Sequence, residues 1–155
     1  MSIGIVETKY GKLRGEEARE KRYEGITYFK GVPYAAPPVG NLRWRPPEDP
    51  VCWEGVRECT QYARRCPQPI LSAINFEPFQ SDFYYQSRPE MSEDCLYLNI
   101  ATGAASAQER RPVFMWFHGG GLSFGESGEV EFDPGELARK GVVVVSVGQR
   151  LNIFG

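Results

Sequence analysis

A single histidine, His118, is the entire imidazole content of this 155-residue sequence, and no short paired intervals occur among its four cysteines, Cys52, Cys59, Cys66 and Cys95. Zinc and related centres draw on several His or Cys ligands at close spacing, so this composition argues against a metal site, and no cofactor motif takes its place. Basic excess is missing as well. Eighteen Lys and Arg against twenty Asp and Glu leave a net charge of −2 with no Lys/Arg cluster, which removes nucleic acid and anionic membrane surfaces as expected partners. No run approaches the roughly 20 apolar residues of a membrane span. The opening residues, MSIGIVETKYGKLRGE, lack the basic-then-apolar order of a secretion signal, and no Asn-x-Ser/Thr sequon occurs. These absences lead us to expect a soluble, cytoplasmic chain whose thiols are reduced by default. Internal repeats and low-complexity segments are also lacking.

What is present centres on Pro112 to Gly121, PVFMWFHGGG. Five apolar residues, Val113 to Phe117, stop at His118 and three glycines. The run is short, partly β-branched and aromatic, and predicts a strand buried on both faces. Glycines at its end allow a sharp turn with positive φ and leave backbone N–H groups uncovered by side chains. Such N–H groups suit a developing oxyanion. Three glycines taken alone read first as a flexible turn.

The rest of the chain supplies elements around that strand. Ile3 to Glu7 and Lys12 to Glu16 flank Tyr10-Gly11 as a small antiparallel hairpin. Gly25 to Pro33 predicts a further strand. Six prolines between Pro33 and Pro50 exclude helix and inner strand there, while Tyr34 and Trp44 argue for an ordered extended loop. Cys66 to about Ser92 has no period but holds Phe76, Phe79, Phe83, Tyr84 and Tyr85, the mark of a long loop that packs on something. Leu96 to Ala101 predicts a strand, and Gly103 to Arg111 a polar surface connection. Asp133 to Lys140 reads as a short helix with an Asp cap, Pro134 at its first position and Gly141 as its stop. Val142 to Val147 is a second strand with the composition of full burial. Strand, loop, helix and strand in succession have the form of an α/β unit. Two such apolar strands with one helix to cover them point to a piece of a larger fold.

The pattern Gly-x-Ser-x-Gly occurs at Gly121 to Gly125, and Ser127 follows in Gly125-Glu126-Ser127-Gly128. A nucleophile elbow places its serine on a strand-to-helix turn, and no long helix begins here. A triad also needs a histidine in reach of the serine. His118 is the one imidazole, and a structural role at the strand end is the reading favoured for it. Neither Ser123 nor Ser127 is taken as a nucleophile.

Several blocks in order, FKGVPYAAPPVGNLRWRPPEDP, WEGV, CPQ, SEDCLYLNI, PVFMWFHGGGLSFG and VVVVSVGQRLNIFG, resemble the type-B carboxylesterase family. The resemblance implies an α/β-hydrolase fold with a mixed, mostly parallel central sheet preceded by an antiparallel hairpin. Residues 1–155 would be the N-terminal part of one such domain, incomplete at its C-terminal end. It implies a serine ester hydrolase acting on a small-molecule carboxylic ester. Gly119, Gly120 and Gly121 would form the oxyanion hole, with Gly119 shaping the turn. Leu122, Ser123, Tyr84 and Tyr85 would line the gorge. It further implies an ion pair between Glu93 and Arg150, and a disulfide between Cys66 and Cys95 unless a reducing compartment leaves them as thiols. The nucleophile, acid and histidine of the triad have no counterpart in this chain, so the C-terminal remainder is the expected partner and the chain alone is expected to be inactive. Gly148-Gln149 stands where the family has Asn-Tyr. The competing expectation is a catalytically inactive esterase fragment or a cholinesterase-like binding module.

Overall fold

The computed structural model describes residues 2–69, 89–129 and 132–155. Among these, eight strands and one short α-helix are arranged in two sheets. The smaller sheet has the order β1-β2-β5, from β1 (Ile5–Thr8), β2 (Gly11–Arg14) and β5 (Val56–Glu58). The larger has the order β3-β4-β6-β8-β7, from β3 (Glu16–Glu17), β4 (Thr27–Pro33), β6 (Tyr97–Thr102), β8 (Val143–Val147) and β7 (Val113–Phe117).

The expected hairpin forms, with Ile5 opposite Arg14 and Thr8 opposite Gly11. Its turn is held by Thr8, whose hydroxyl accepts from the Tyr10 N–H and donates to the Gly11 carbonyl. Strand β5 then adds in parallel to β2. Pairing in the larger sheet is antiparallel for β3–β4, β4–β6 and β6–β8, and parallel for β7–β8. The sheet is mixed, as expected, but among the described residues its parallel part is confined to β7 and β8. Strand β4 carries an irregularity between Phe29 and Val32, where Gly31 adopts φ 66° and gives its N–H to the Asn99 side chain. Bulges of this kind bend a strand and strengthen its twist.

The helix α1 is shorter than the sequence predicts, Gly135–Arg139. Asp133, one residue before its N-cap Pro134, still holds its first turn, its Oδ1 accepting from the Gly135 N–H at 2.9 Å. Tyr23 donates to the other carboxylate oxygen. Ala138 faces the sheet and packs with Tyr23, Ile26 and Ala101. A second core cluster joins Leu13, Phe29, Val32 and Cys59 between the two sheets, and a third joins Ala35, Cys66, Cys95, Leu96 and Leu151 below the site.

One expectation is overturned. Strand β7 is not buried on both faces: Val113, Phe114, Met115 and Phe117 are 43 to 61 % exposed. The reason is position. Among the described residues β7 is the sheet edge with β8 as its one neighbour, and α1 packs on β6 and β8. Val144, Val145 and Val147 of β8, one strand further in, are buried as expected. No helix of the described residues is long and apolar enough to cross a membrane.

Candidate active site

The ladder between β7 and β8 ends at Phe117 opposite Val147, and the chain turns away through His118. The His118 ring is buried, and its Nδ1 lies 2.8 Å from the Gly119 carbonyl oxygen. A carbonyl can only accept, so Nδ1 carries the hydrogen in this bond. Burial lowers its pKa from the usual value, the Gly119 bond opposing. Neither Ser123 nor Ser127 is hydrogen-bonded to it. The Ser123 hydroxyl donates to the Gly121 carbonyl at 3.3 Å, and the Ser127 hydroxyl accepts from the Asn99 amide at 2.9 Å.

Gly120 and Gly121 take φ values of 107° and 59°, and Leu122 follows at 59°. The Gly120 carbonyl accepts from the Ser123 N–H at 3.0 Å and the Phe124 N–H at 3.3 Å, which closes the loop on itself. A Cβ at Gly120 would stand 2.0 Å from the Phe124 oxygen, whereas one at Gly119 or Gly121 would meet open space. The N–H groups of Gly119, Gly120 and Gly121 donate to no acceptor among the described residues. Leu122 beside them is 71 % exposed. The arrangement offers adjacent unspent donors next to an apolar side chain.

Two neighbours hold this loop that the sequence reading did not single out. Gln68 accepts from the Gly125 N–H at 2.8 Å and donates to the Gly125 carbonyl at 2.9 Å. Asn152 gives its backbone N–H to the Leu122 carbonyl and its side-chain amide to the Pro67 carbonyl, both at 2.7 Å. Bonds from a side chain to a distant backbone leave no periodic trace in a sequence.

The expected Glu93–Arg150 ion pair is not formed. Glu93 is held by Arg43, whose Nη2 and Nε donate to its two carboxylate oxygens at 2.6 and 2.5 Å. The fork engages both oxygens of the carboxylate, and Trp44 in the left-handed region (φ 61°) is the turn residue that follows Arg43. Arg43 holds the Glu93 carboxyl below its usual pKa. Arg150 instead donates to the Arg45 carbonyl at 2.9 Å.

Cys66 and Cys95 do meet, buried side by side, but as free thiols rather than a disulfide. The Cys95 thiol pulls the Cys66 pKa down, while Cys66 together with burial pushes that of Cys95 up. The Leu151 N–H, 3.1 Å from the Cys66 sulfur, also lowers the Cys66 pKa. Gly148 sits against this pair. A Cβ there would lie 2.9 Å from the Tyr97 carbonyl and 3.1 Å from that of Cys95, and Tyr34 donates to the Gly148 carbonyl at 2.8 Å. The residue that departs from the resembled family's wording therefore fits a place with no room for a side chain. Tyr84 and Tyr85, with Phe76, Phe79 and Phe83, lie outside the described residues. Among the described residues no group of three or more His, Cys, Asp or Glu could hold a metal ion.

The match of a family model, described as the carboxylesterase family, runs from residue 2 to residue 155. The para-nitrobenzyl esterase of Bacillus subtilis is 39% identical over 158 residues, covering 100% of this chain and 29% of that protein. The fumonisin B1 esterase of Sphingopyxis macrogoltabida is 38% identical over 148 residues, covering 96% of this chain and 24% of that protein. Among solved structures, a PNB esterase superposes with a TM-score of 0.81 at 38% identity, over 97% of this chain and 28% of its own. A carboxylesterase of Geobacillus stearothermophilus gives 0.79 at 39% identity, over 99% and 28%. The chain thus spans less than a third of the length of these relatives.

Proposed function

The chain belongs to the carboxylesterase family, and from that premise we propose that it is the N-terminal segment of a serine carboxylic ester hydrolase, supplying the oxyanion hole and part of the gorge wall. The observation that carries the reading is the set of unspent N–H groups at Gly119 to Gly121, in a loop closed through the Gly120 carbonyl.

In the reaction, a serine outside this chain attacks the ester carbonyl, and the carbonyl oxygen takes up negative charge as the tetrahedral intermediate forms. Gly120 and Gly121 donate their N–H groups to that oxygen, and Gly119 shapes the turn that aims them. The donors are fixed before the charge appears, so little reorganisation is left for the moment of reaction. Collapse of the intermediate expels the alcohol and leaves an acyl-serine, and the same donors then serve the attack of water on the acyl carbonyl. The nucleophile, the histidine that moves its proton and the acid that orients that histidine come from the C-terminal remainder. His118 takes no part: its Nδ1–H is spent on Gly119. Leu122, exposed beside the donors, suits a neutral ester with an apolar acyl or alcohol group.

The test compares the full-length protein with the 155-residue chain. Full-length protein hydrolyses p-nitrophenyl acetate and loses that activity on labelling with a serine-directed phosphonate. The chain alone neither turns over nor takes the label. Phosphonate-sensitive turnover by the chain alone would place a nucleophile within it and sink the assignment.

A further inference from the structure

We propose that Gln68 is a positioning residue for this reaction, holding the far end of the glycine loop so that the Gly120 and Gly121 N–H groups keep their direction; this rests on the oxyanion reading above. One amide serves three backbone groups. Its Nε2 donates to the Gly125 carbonyl at 2.9 Å and to the Cys66 carbonyl at 3.1 Å, while its Oε1 accepts from the Gly125 N–H at 2.8 Å. Gly125 has no other hydrogen-bond partner among the described residues.

Gly125 is also closely packed. A Cβ there would lie 2.4 Å from the His118 Nδ1 and 2.8 Å from the Gly119 carbonyl oxygen. The Gly125 backbone therefore packs directly against the ring and the carbonyl that begin the loop. Fixing Gly125 fixes both ends at once. The loop's own bonds, from the Ser123 and Phe124 N–H groups to Gly120, shape its middle but tie it to nothing else. Asn152 holds Leu122 on the opposite side. Gln68 is the external tether that grips both backbone polar groups of one residue, Gly125.

The residue type follows from the bonding. An amide both donates and accepts in one plane, as this peptide edge requires. An ionised glutamate can only accept, and its second oxygen would face the Gly125 carbonyl. Methionine has similar length and no hydrogen bond to offer. Methionine gives up all of these bonds and glutamate those to the Gly125 and Cys66 carbonyls, neither opening a large cavity.

The experiment uses the full-length enzyme with Gln68→Met and Gln68→Glu. With p-nitrophenyl acetate, kcat falls about ten- to a hundredfold with KM little changed, in line with the cost of an ångström-scale misplacement. Hydrogen exchange at residues 119–125 quickens, while exchange in β8 keeps its wild-type rate. Wild-type kcat and wild-type exchange in both variants would overturn the proposal and leave the esterase reading standing. A fall in kcat accompanied by faster exchange in β8 would also overturn it, since Gln68 would then serve general stability. A wild-type enzyme without ester hydrolysis defeats the esterase reading itself, and the proposal falls with it.

Discussion

A methyl group on Gly120 would stand 2.0 Å from the carbonyl oxygen of Phe124. The same residue has φ 107°, where side chains of L-residues are strained. Gly120→Ala must therefore open the loop that presents the donors. In the full-length enzyme we expect kcat to fall about 10²–10³-fold, the loss typical of removing one oxyanion donor. Gly121→Ala meets open space and bears the backbone strain of φ 59° alone, so its loss is the smaller of the two. Steady-state kinetics on p-nitrophenyl acetate separates them. Equal, unimpaired kcat in both variants would remove these glycines from the mechanism.

Arg43, not Arg150, is the partner of Glu93, and the pair has a pH signature. The folded pKa of Glu93 is depressed, chiefly by the hydrogen bonds from Arg43. A depressed carboxyl contributes stability above its unfolded pKa of about 4.3, and that contribution is lost as pH falls through the lower folded value. Arg43→Gln should therefore destabilise the protein at neutral pH, and its melting curve should converge on wild type as the pH drops below the usual carboxylate range. Arg150→Gln, which removes a bond to a carbonyl, should show no such convergence. Thermal melts at a series of pH values decide. Convergence for Arg150→Gln alone would restore the expected pairing.

Much of the sheet was legible because its cause is local. LYLNIA, PVFMWF and VVVVSV are apolar runs too short for helices, and all three are strands of the larger sheet. Burial was not legible to the same degree. β7 and β8 have similar composition, yet one is an exposed edge and the other an inner strand, because burial depends on neighbours and not on the run itself. Partner choice was hidden for a related reason. Glu93 lies far from both Arg43 and Arg150 in sequence, and the fold of the loop around Trp44 determines which guanidinium arrives. Gln68 and Asn152 act on backbone groups, which carry no residue identity to pair with. Gly148 looked like a departure in the wording of a motif; in space it is a site where a Cβ would press on two carbonyls.

The exposed edge of β7 carries a consequence for the chain in isolation. Val113, Met115 and Phe117 on one face of the strand and Phe114 on the other are uncovered, and among the described residues the strand has one free hydrogen-bonding edge. Such an edge templates pairing with another chain. The 155-residue chain alone should self-associate, and Phe114→Lys with Phe117→Lys should raise the fraction that sediments near 17.5 kDa. Analytical ultracentrifugation reads this directly. A wild-type chain that stays monomeric across the micromolar range would show that the edge is covered by some other means.

Cys66 and Cys95 differ from the other cysteines in being packed together in one buried cluster, and the Leu151 N–H lies 3.1 Å from the Cys66 sulfur. Both neighbours, Cys95 and Leu151, lower the Cys66 pKa, and the thiolate is the species that reacts in thiol–disulfide exchange. Cys59 is buried with its pKa raised by desolvation, and Cys52 is exposed. A disulfide reagent that brings full-length protein to equilibrium should therefore oxidise Cys66 and Cys95 to one intramolecular disulfide, each sulfur losing its hydrogen to the reagent. Cys52 should remain open to alkylation under those conditions, and Cys59 should alkylate once the protein is unfolded. Peptide mapping without reduction identifies the linked pair. Cross-linking should also slow unfolding, since it ties the Cys66 segment that carries Gln68 to the start of β6. Recovery of Cys66 and Cys95 as separate alkylated peptides after complete oxidant treatment would mean that the sulfurs, though neighbours, are held too firmly as thiols to join.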